Sequence, residues 1–127
     1  MKKELELYRQ SFGEDPDFEE LLFKNSPVTL QVDGETVSQL FLLPCNIKSG
    51  EALFSAYYVF ALCTDEKHRK KGYMERLLNR VIRESDRPLI LRPSNEKLIG
   101  YYEKFGFKSF MAQDRKDRGL SVEPVGS

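Results

Sequence analysis

Apolar residues at helical spacing open the chain: Leu5, Tyr8 and Phe12 share one face, and Gly13 supplies the left-handed turn that ends helices. Asp15-Pro16 then restarts a helix, the acid as cap and the proline in the first turn, with Phe18, Leu21 and Leu22 on one side. The period next shortens to that of strands. Val28 to Val32 and Thr36 to Pro44 flank Asp33-Gly34, a hairpin turn, and a second turn at Lys48-Ser49-Gly50 leads into Ala52 to Thr64. That last run is apolar on both sides and reads as the central strand. After Thr64 the helical period returns: Met74, Leu77, Leu78, Val81 and Ile82 make the strongest stripe in the sequence, in a helix starting near Gly72. Arg87-Pro88 breaks it and Leu89 to Leu91 forms a short buried strand. Ser94 or Asn95 caps a further helix with Leu98, Tyr101, Tyr102 and Phe105 on one face, closed by Gly106. Phe107 to Ala112 and Leu120 to Val125 read as a final hairpin. The order ααβββαβαββ predicts a mixed α+β fold: a single domain over residues 1–127, its central mixed, largely antiparallel twisted sheet flanked by about four helices.

Composition narrows the chemistry. The chain has 127 residues with 20 Lys+Arg against 20 Asp+Glu, one His, two Cys and no Trp. A domain of this size holds a core without metal or disulfide staples. Cys45 and Cys63 stand 18 positions apart with no CxxC, which argues against zinc and against a disulfide framework. A reducing, cytoplasmic setting is expected, since the charged N-terminus has no apolar signal region and no run is long enough to span a membrane. Zero net charge disfavours nucleic acid as a partner. The charges nevertheless segregate. Residues 1–20 hold seven acids and three bases, and residues 66–84 hold seven bases and three acids, local balances of −4 and +4. Both stretches could be solvated helix faces.

GxxxxGK[ST], GxGxxG, HExxH and GxSxG are all missing. One junction stands out: a buried strand ends at Thr64, a basic loop runs from Asp65 to Lys71, and Gly72 opens an amphipathic helix. A helix N-terminus offers unpaired N–H groups and about half a positive charge to phosphate oxygens. Gly72 lets a ligand approach the backbone, and Arg69, Lys70 and Lys71 surround it with positive charge. On these residues alone the loop is either a pyrophosphate cradle or a solvated basic turn. Arg69-Lys70-Lys71-Gly72-Tyr73-Met74 together with the stretch from Asn95 to Phe107 resembles the acyl-CoA-binding half of the GNAT superfamily of N-acetyltransferases. The first run is similar to that family's R-x-x-G-x-G/A loop, the second to its N-x-x-x-x-x-(F/Y)-Y-x-x-x-G-F helix, and the likeness covers residues 1 to 113.

The resemblance implies a GNAT-like acyl-CoA N-acyltransferase fold with acetyl-CoA as cosubstrate and no metal. It implies that the backbone of Leu62, Cys63 and Thr64 takes the pantetheine arm, that the amides of Lys70 to Met74 hold the pyrophosphate, that Asn95 meets the pantetheine region, and that Tyr102 is the acid near the thioester sulfur. Core packing is the alternative role for Tyr102. Three departures stand against the family pattern: Met74 replaces the usual Gly or Ala, the family's first edge strand has no counterpart before the first helix, and Ala52 to Leu62 contains no carboxylate to act as base. His68 reads as a surface residue rather than a base, and Cys63 as packing rather than a nucleophile. The expected activity is transfer of an acetyl group to a primary amine by direct attack in a ternary complex. The acidic first helices suggest a cationic acceptor such as a polyamine, an aminoglycoside-like amine or a lysine side chain. The alternative is a non-catalytic acyl-CoA-binding or regulatory domain. Either would be a monomer or a homodimer, with no membrane partner.

Overall fold

The computed structural model describes residues 2–93, 95–107 and 120–124. Its elements are α1 (Lys2–Phe12), α2 (Pro16–Leu22), β1 (Val28–Val32), β2 (Glu35–Ser49), β3 (Ala52–Thr64), a 3₁₀ turn (Glu66–His68), α3 (Tyr73–Glu84), β4 (Leu89–Ile90), α4 (Lys97–Glu103) and β5 (Leu120–Pro124). The fold is mixed α+β, with one sheet ordered β1-β2-β3-β4 and β5 added on β2. β1 and β5 lie antiparallel to β2, and β4 lies parallel to β3.

Local chemistry explains the ends of these elements. The Asp15 carboxylate accepts the Phe18 N–H at 3.2 Å and Pro16 is the first residue of α2, as its sequence predicts. Asp33 and Gly34 both take left-handed φ, 52° and 78°, the geometry that joins two twisted strands through two residues. β2 differs from the sequence reading. It runs through Pro44 to Ser49, so the turn falls at Gly50-Glu51 rather than at Lys48-Ser49-Gly50. The reason is tertiary: Cys45 to Ser49 pair with Pro124 to Leu120, a partner remote in sequence. Pro44, which cannot donate to a ladder, falls between the stretch paired with β1 and the stretch paired with β5. The final strand therefore adds to β2. The first arm of the expected hairpin, residues 108–112, lies outside the described residues, as does Ser94.

The chain divides into two compact units, residues 1–43 with 59–85 and residues 44–58 with 86–127, β2 and β3 running through both. In the first, Tyr8, Leu22, Phe41 and Ala61 are buried together and Phe23, Leu43 and Phe60 pack against them. α3 packs on β1, burying Leu77, Leu78 and Val81, and Arg80 Nη2 donates to the Thr29 carbonyl at 2.8 Å. In the second unit the Arg87 guanidinium lies over the Tyr57 ring, 4.8 Å from its centroid, and the Tyr57 N–H donates to the Pro88 carbonyl at 2.9 Å. The pairing of β3 with β4 covers Tyr57 and Tyr58, and β3 then continues to Thr64.

Candidate functional site

β3 carries a backbone feature its composition does not announce. Ala61, buried, has φ +56° in the middle of the strand. A left-handed alanine costs roughly 1–2 kcal/mol and departs from the regular geometry of a strand. Leu62, Cys63 and Thr64 follow it directly. The strand end is pinned: the Thr64 hydroxyl is hydrogen-bonded to the Ser38 hydroxyl at 2.8 Å, and the Thr64 carbonyl accepts Arg69 Nε at 3.0 Å. Arg69 Nη2 lies 3.5 Å from the Ser11 hydroxyl, so this guanidinium braces the turn. Burial pushes the Cys63 thiol up to about 12, against Arg69 and Gln39, which pull it down.

The turn that follows is organised by Asp65, which the sequence presents only as the start of a basic loop. Its buried carboxylate accepts Lys3 Nζ at 2.9 Å, Gln10 Nε2 at 3.2 Å and the Lys67 N–H at 3.4 Å, and its own N–H donates to the Val37 carbonyl at 2.8 Å. Burial pushes this carboxyl up, but the Lys3, Gln10 and Lys67 donors outweigh it and hold the group below its ordinary value. Gln10 Oε1 also accepts the Glu66 N–H at 3.0 Å. The polar side of α1 thus grips the loop in front of α3. Glu35, Asp65 and His68 offer ligand atoms within 4.8 Å of one another, and the Lys3 ammonium, 3.5 Å from Glu35, supplies the cation there. His68 Nε2 lies 3.6 Å from Glu35, and its ring is 6.2 Å from that of Tyr73. His68 is therefore half-buried against partners, not the freely solvated side chain its charged surroundings suggest.

Gly72 then takes φ +77° and caps α3 with no side-chain hydrogen bond, in contrast to α2, which Asp15 caps. The first bond of α3 runs from the Arg76 N–H to the Gly72 carbonyl at 3.1 Å, leaving the N–H groups of Tyr73, Met74 and Glu75 without helical partners. A Cβ at residue 72 would meet nothing within 4 Å, so the space over this helix end is open. Lys70, itself left-handed at φ +66°, and Lys71 are exposed beside it. Met74 is half-buried in the first turn of α3. Arg76 lies over the Tyr73 ring at 5.6 Å. The donor set, the positive charge and the open backbone fit a diphosphate.

The second unit holds the remaining predicted residues. Asn95 Oδ1 accepts the Leu98 N–H at 3.2 Å, although the cap position of α4 falls one residue later than expected, at Glu96, which makes no side-chain cap bond; the amide hydrogens of Asn95 are the donors it offers. Tyr102 is half-buried, edge-on to Tyr101 at 5.2 Å and to Phe107 at 6.2 Å, and burial pushes its phenol up. Tyr101 packs on Phe105 at 5.3 Å. No residue of α4 is fully buried, so the stripe read from its sequence is a partly open aromatic cluster.

A family profile described as an acetyltransferase (GNAT) domain matches residues 1–110. The chain belongs to the GNAT acetyltransferases. Among solved structures this GNAT chain is similar to a candidate acetyltransferase from Agrobacterium tumefaciens str. C58, with TM-score 0.67 and 17% identity over 87% of this chain and 88% of that one. It is also similar to an acetyltransferase from Trypanosoma brucei, with TM-score 0.58 and 20% identity over 88% of each. A mutant protein from Bacillus halodurans gives TM-score 0.54 and 15% identity over 81% of this chain and 77% of that one. At these identities the likeness establishes the fold. No curated protein matches the chain. Two features of this GNAT chain are missing from the reading of its sequence, only one of them for want of a signal. The turn at Ala61 carries no local signal, whereas Asp65 has one, an acid directly after a strand and two residues before an N–H it caps.

Proposed function

We propose that this GNAT chain transfers an acetyl group from acetyl-CoA to the nitrogen of a primary amine. The observation that carries the reading is the uncapped, open N-terminus of α3 behind Gly72, flanked by Lys70 and Lys71. The amides of Lys70 to Met74 hold the pyrophosphate, Arg69 braces the loop, and Asn95 donates to the pantetheine region. Backbone from Leu62 to Thr64, turned by Ala61, receives the arm and offers an N–H to the oxyanion. The amine nitrogen bonds to the thioester carbon, the carbon–sulfur bond breaks, and the departing sulfur takes the Tyr102 phenolic proton while the amine proton leaves to water. Burial raises the Tyr102 phenol and keeps it protonated at neutral pH, as a donor must be. An alkyl amine of pKa near 10.4 needs about 4.6 kcal/mol to expose its lone pair at pH 7, and β3 has no carboxylate to take that proton.

That last gap favours one other reading, a domain that binds acyl-CoA without transfer. A nucleic-acid reading is weaker, because Tyr73 already lies under Arg76. Among the described residues no helix is long and apolar enough to cross a membrane. Both cysteines are buried and unpaired, which suits the reducing cytoplasm proposed for it. Titrating CoA while following the melting point, then following release of the CoA thiol with a panel of amines, separates the readings. A raised melting point with amine-dependent release supports transfer, and a raised melting point without release supports binding alone. Gly72→Glu places a like charge where phosphate belongs and should abolish the shift; an undiminished shift removes the cradle.

A further inference from the structure

We infer that the acceptor is a monoamine carried on an aromatic or alkyl body, seated on α2 and β3, rather than a polycation. This deepens the transferase reading and rests on it. Folding leaves three large apolar side chains of the α1–α2 corner in water: Phe12 is 48% exposed, Phe18 38% and Leu21 60%. They are tied to the core beneath. Phe12 stacks on Tyr8 at 5.0 Å, Phe18 meets Phe60 edge-on at 5.9 Å, and Tyr8 and Phe60 belong to one cluster with Ala61. Phe18 therefore rests on the residue next to the left-handed alanine of β3. An apolar surface adjoining the end of β3 is where the body of a substrate would lie when its amine reaches the thioester.

The acids of this corner are mostly engaged. Between residues 14 and 20 there are five acids and no base. Arg9 takes Glu19 through two hydrogen bonds, at 2.9 and 2.7 Å, and Glu14 at 3.0 Å, and Asp15 caps α2. Asp17 and Glu20 are exposed with no ion-pair partner among the described residues, and Asp17 stands one turn before Leu21 on the same helical face. Two free carboxylates beside an apolar seat suit one ammonium drawn in by charge, not several held along an acidic track.

The test compares kcat/KM for 2-phenylethylamine and hexylamine with that for putrescine and spermidine, in the wild type, in Phe18→Ala and in Leu21→Gln. Leu21 is mostly exposed, so its variant keeps the fold. The expected result is a preference of tenfold or more for the two apolar amines, reduced severalfold in both variants while the KM for acetyl-CoA is unchanged. Equal rates, or a preference for spermidine, overturn the apolar seat and leave the transferase reading standing. So does a dimer at assay concentration, seen by sedimentation, that Leu21→Gln dissociates, since a second copy would then cover the face. A protein whose melting point CoA raises but which acetylates none of the four amines overturns this inference and favours binding alone. One that CoA leaves unshifted overturns the transferase reading itself.

Discussion

Cys63 and Tyr102 are shifted in the same direction by burial, with opposite chemical consequences. A thiol pushed up to about 12 is almost entirely protonated at neutral pH, and it is the thiolate that attacks or carries an acyl group. A phenol pushed up stays a proton donor. Cys63→Ala should therefore keep kcat within about twofold, and iodoacetamide should label neither Cys63 nor the equally buried Cys45 before urea opens the fold. A loss of kcat as large as that of a catalytic nucleophile would reinstate Cys63. Tyr102→Phe removes only the hydroxyl and leaves the ring edge-on to Tyr101 and Phe107. It should lower kcat tenfold or more with little change in the KM for acetyl-CoA, and an unaltered kcat would reduce the residue to packing.

At the scale of elements, caps and clamps decide which helix ends are closed and which stay open. α2 is closed by Asp15, so Asp15→Ala should lower stability by about 1 kcal/mol in urea unfolding without changing CoA affinity. α3 is left open, and its loop is held from below by Lys3, Gln10 and Asp65. Asp65→Ala leaves Lys3 and the Gln10 amide without their buried acceptor and should cost about 2 kcal/mol or more while also weakening CoA binding; unchanged affinity would separate the clamp from the cradle. The closed ends were legible in sequence because each is local: Asp15-Pro16, Asp33-Gly34 and the Met74 to Ile82 stripe declare themselves within a turn or two. The basic loop before α3 and the open helix end behind Gly72 were legible for the same reason, Gly72 and its bases being contiguous. The full length of β2 was not, because its second half is drawn into the sheet by β5. Nor were the duties of Arg69 and Asp65, whose partners Val37, Lys3, Gln10 and Ser11 arrive only when β2 and α1 fold against the loop. Arg69 reads in sequence as a ligand charge, and its bond to the Thr64 carbonyl adds a bracing contact.

Across the whole molecule, equal numbers of acids and bases do not make stability indifferent to pH, because two carboxylates are held in the native state by specific cations. The bidentate Arg9 partner, aided by the Asp15 N–H, holds Glu19 below its ordinary value against the pull of burial. Asp65 is likewise lowered, its donors prevailing over burial. A carboxyl whose native pKa lies below its unfolded one favours the fold at every pH above the unfolded value. That contribution fades as pH falls through the carboxylate range and is gone once the native pKa is passed. Lys3 is raised, chiefly by its hydrogen bond to Asp65, so its contribution is present below the ordinary lysine value and is lost only as strongly alkaline pH is reached. Stability should therefore be flat through neutrality and fall below about pH 5, where carboxylates begin to protonate. Glu19 and Asp65 both belong to the unit of residues 1–43 and 59–85, so the loss should appear first in amide exchange of α1 and α2. The double variant Glu19→Gln with Asp65→Asn should be less stable at pH 7 and show a shallower acid slope in urea midpoints taken from pH 7 to pH 3. A slope as steep as the wild type's would assign acid sensitivity to the remaining carboxylates, and exchange rising first in α4 would place it in the other unit.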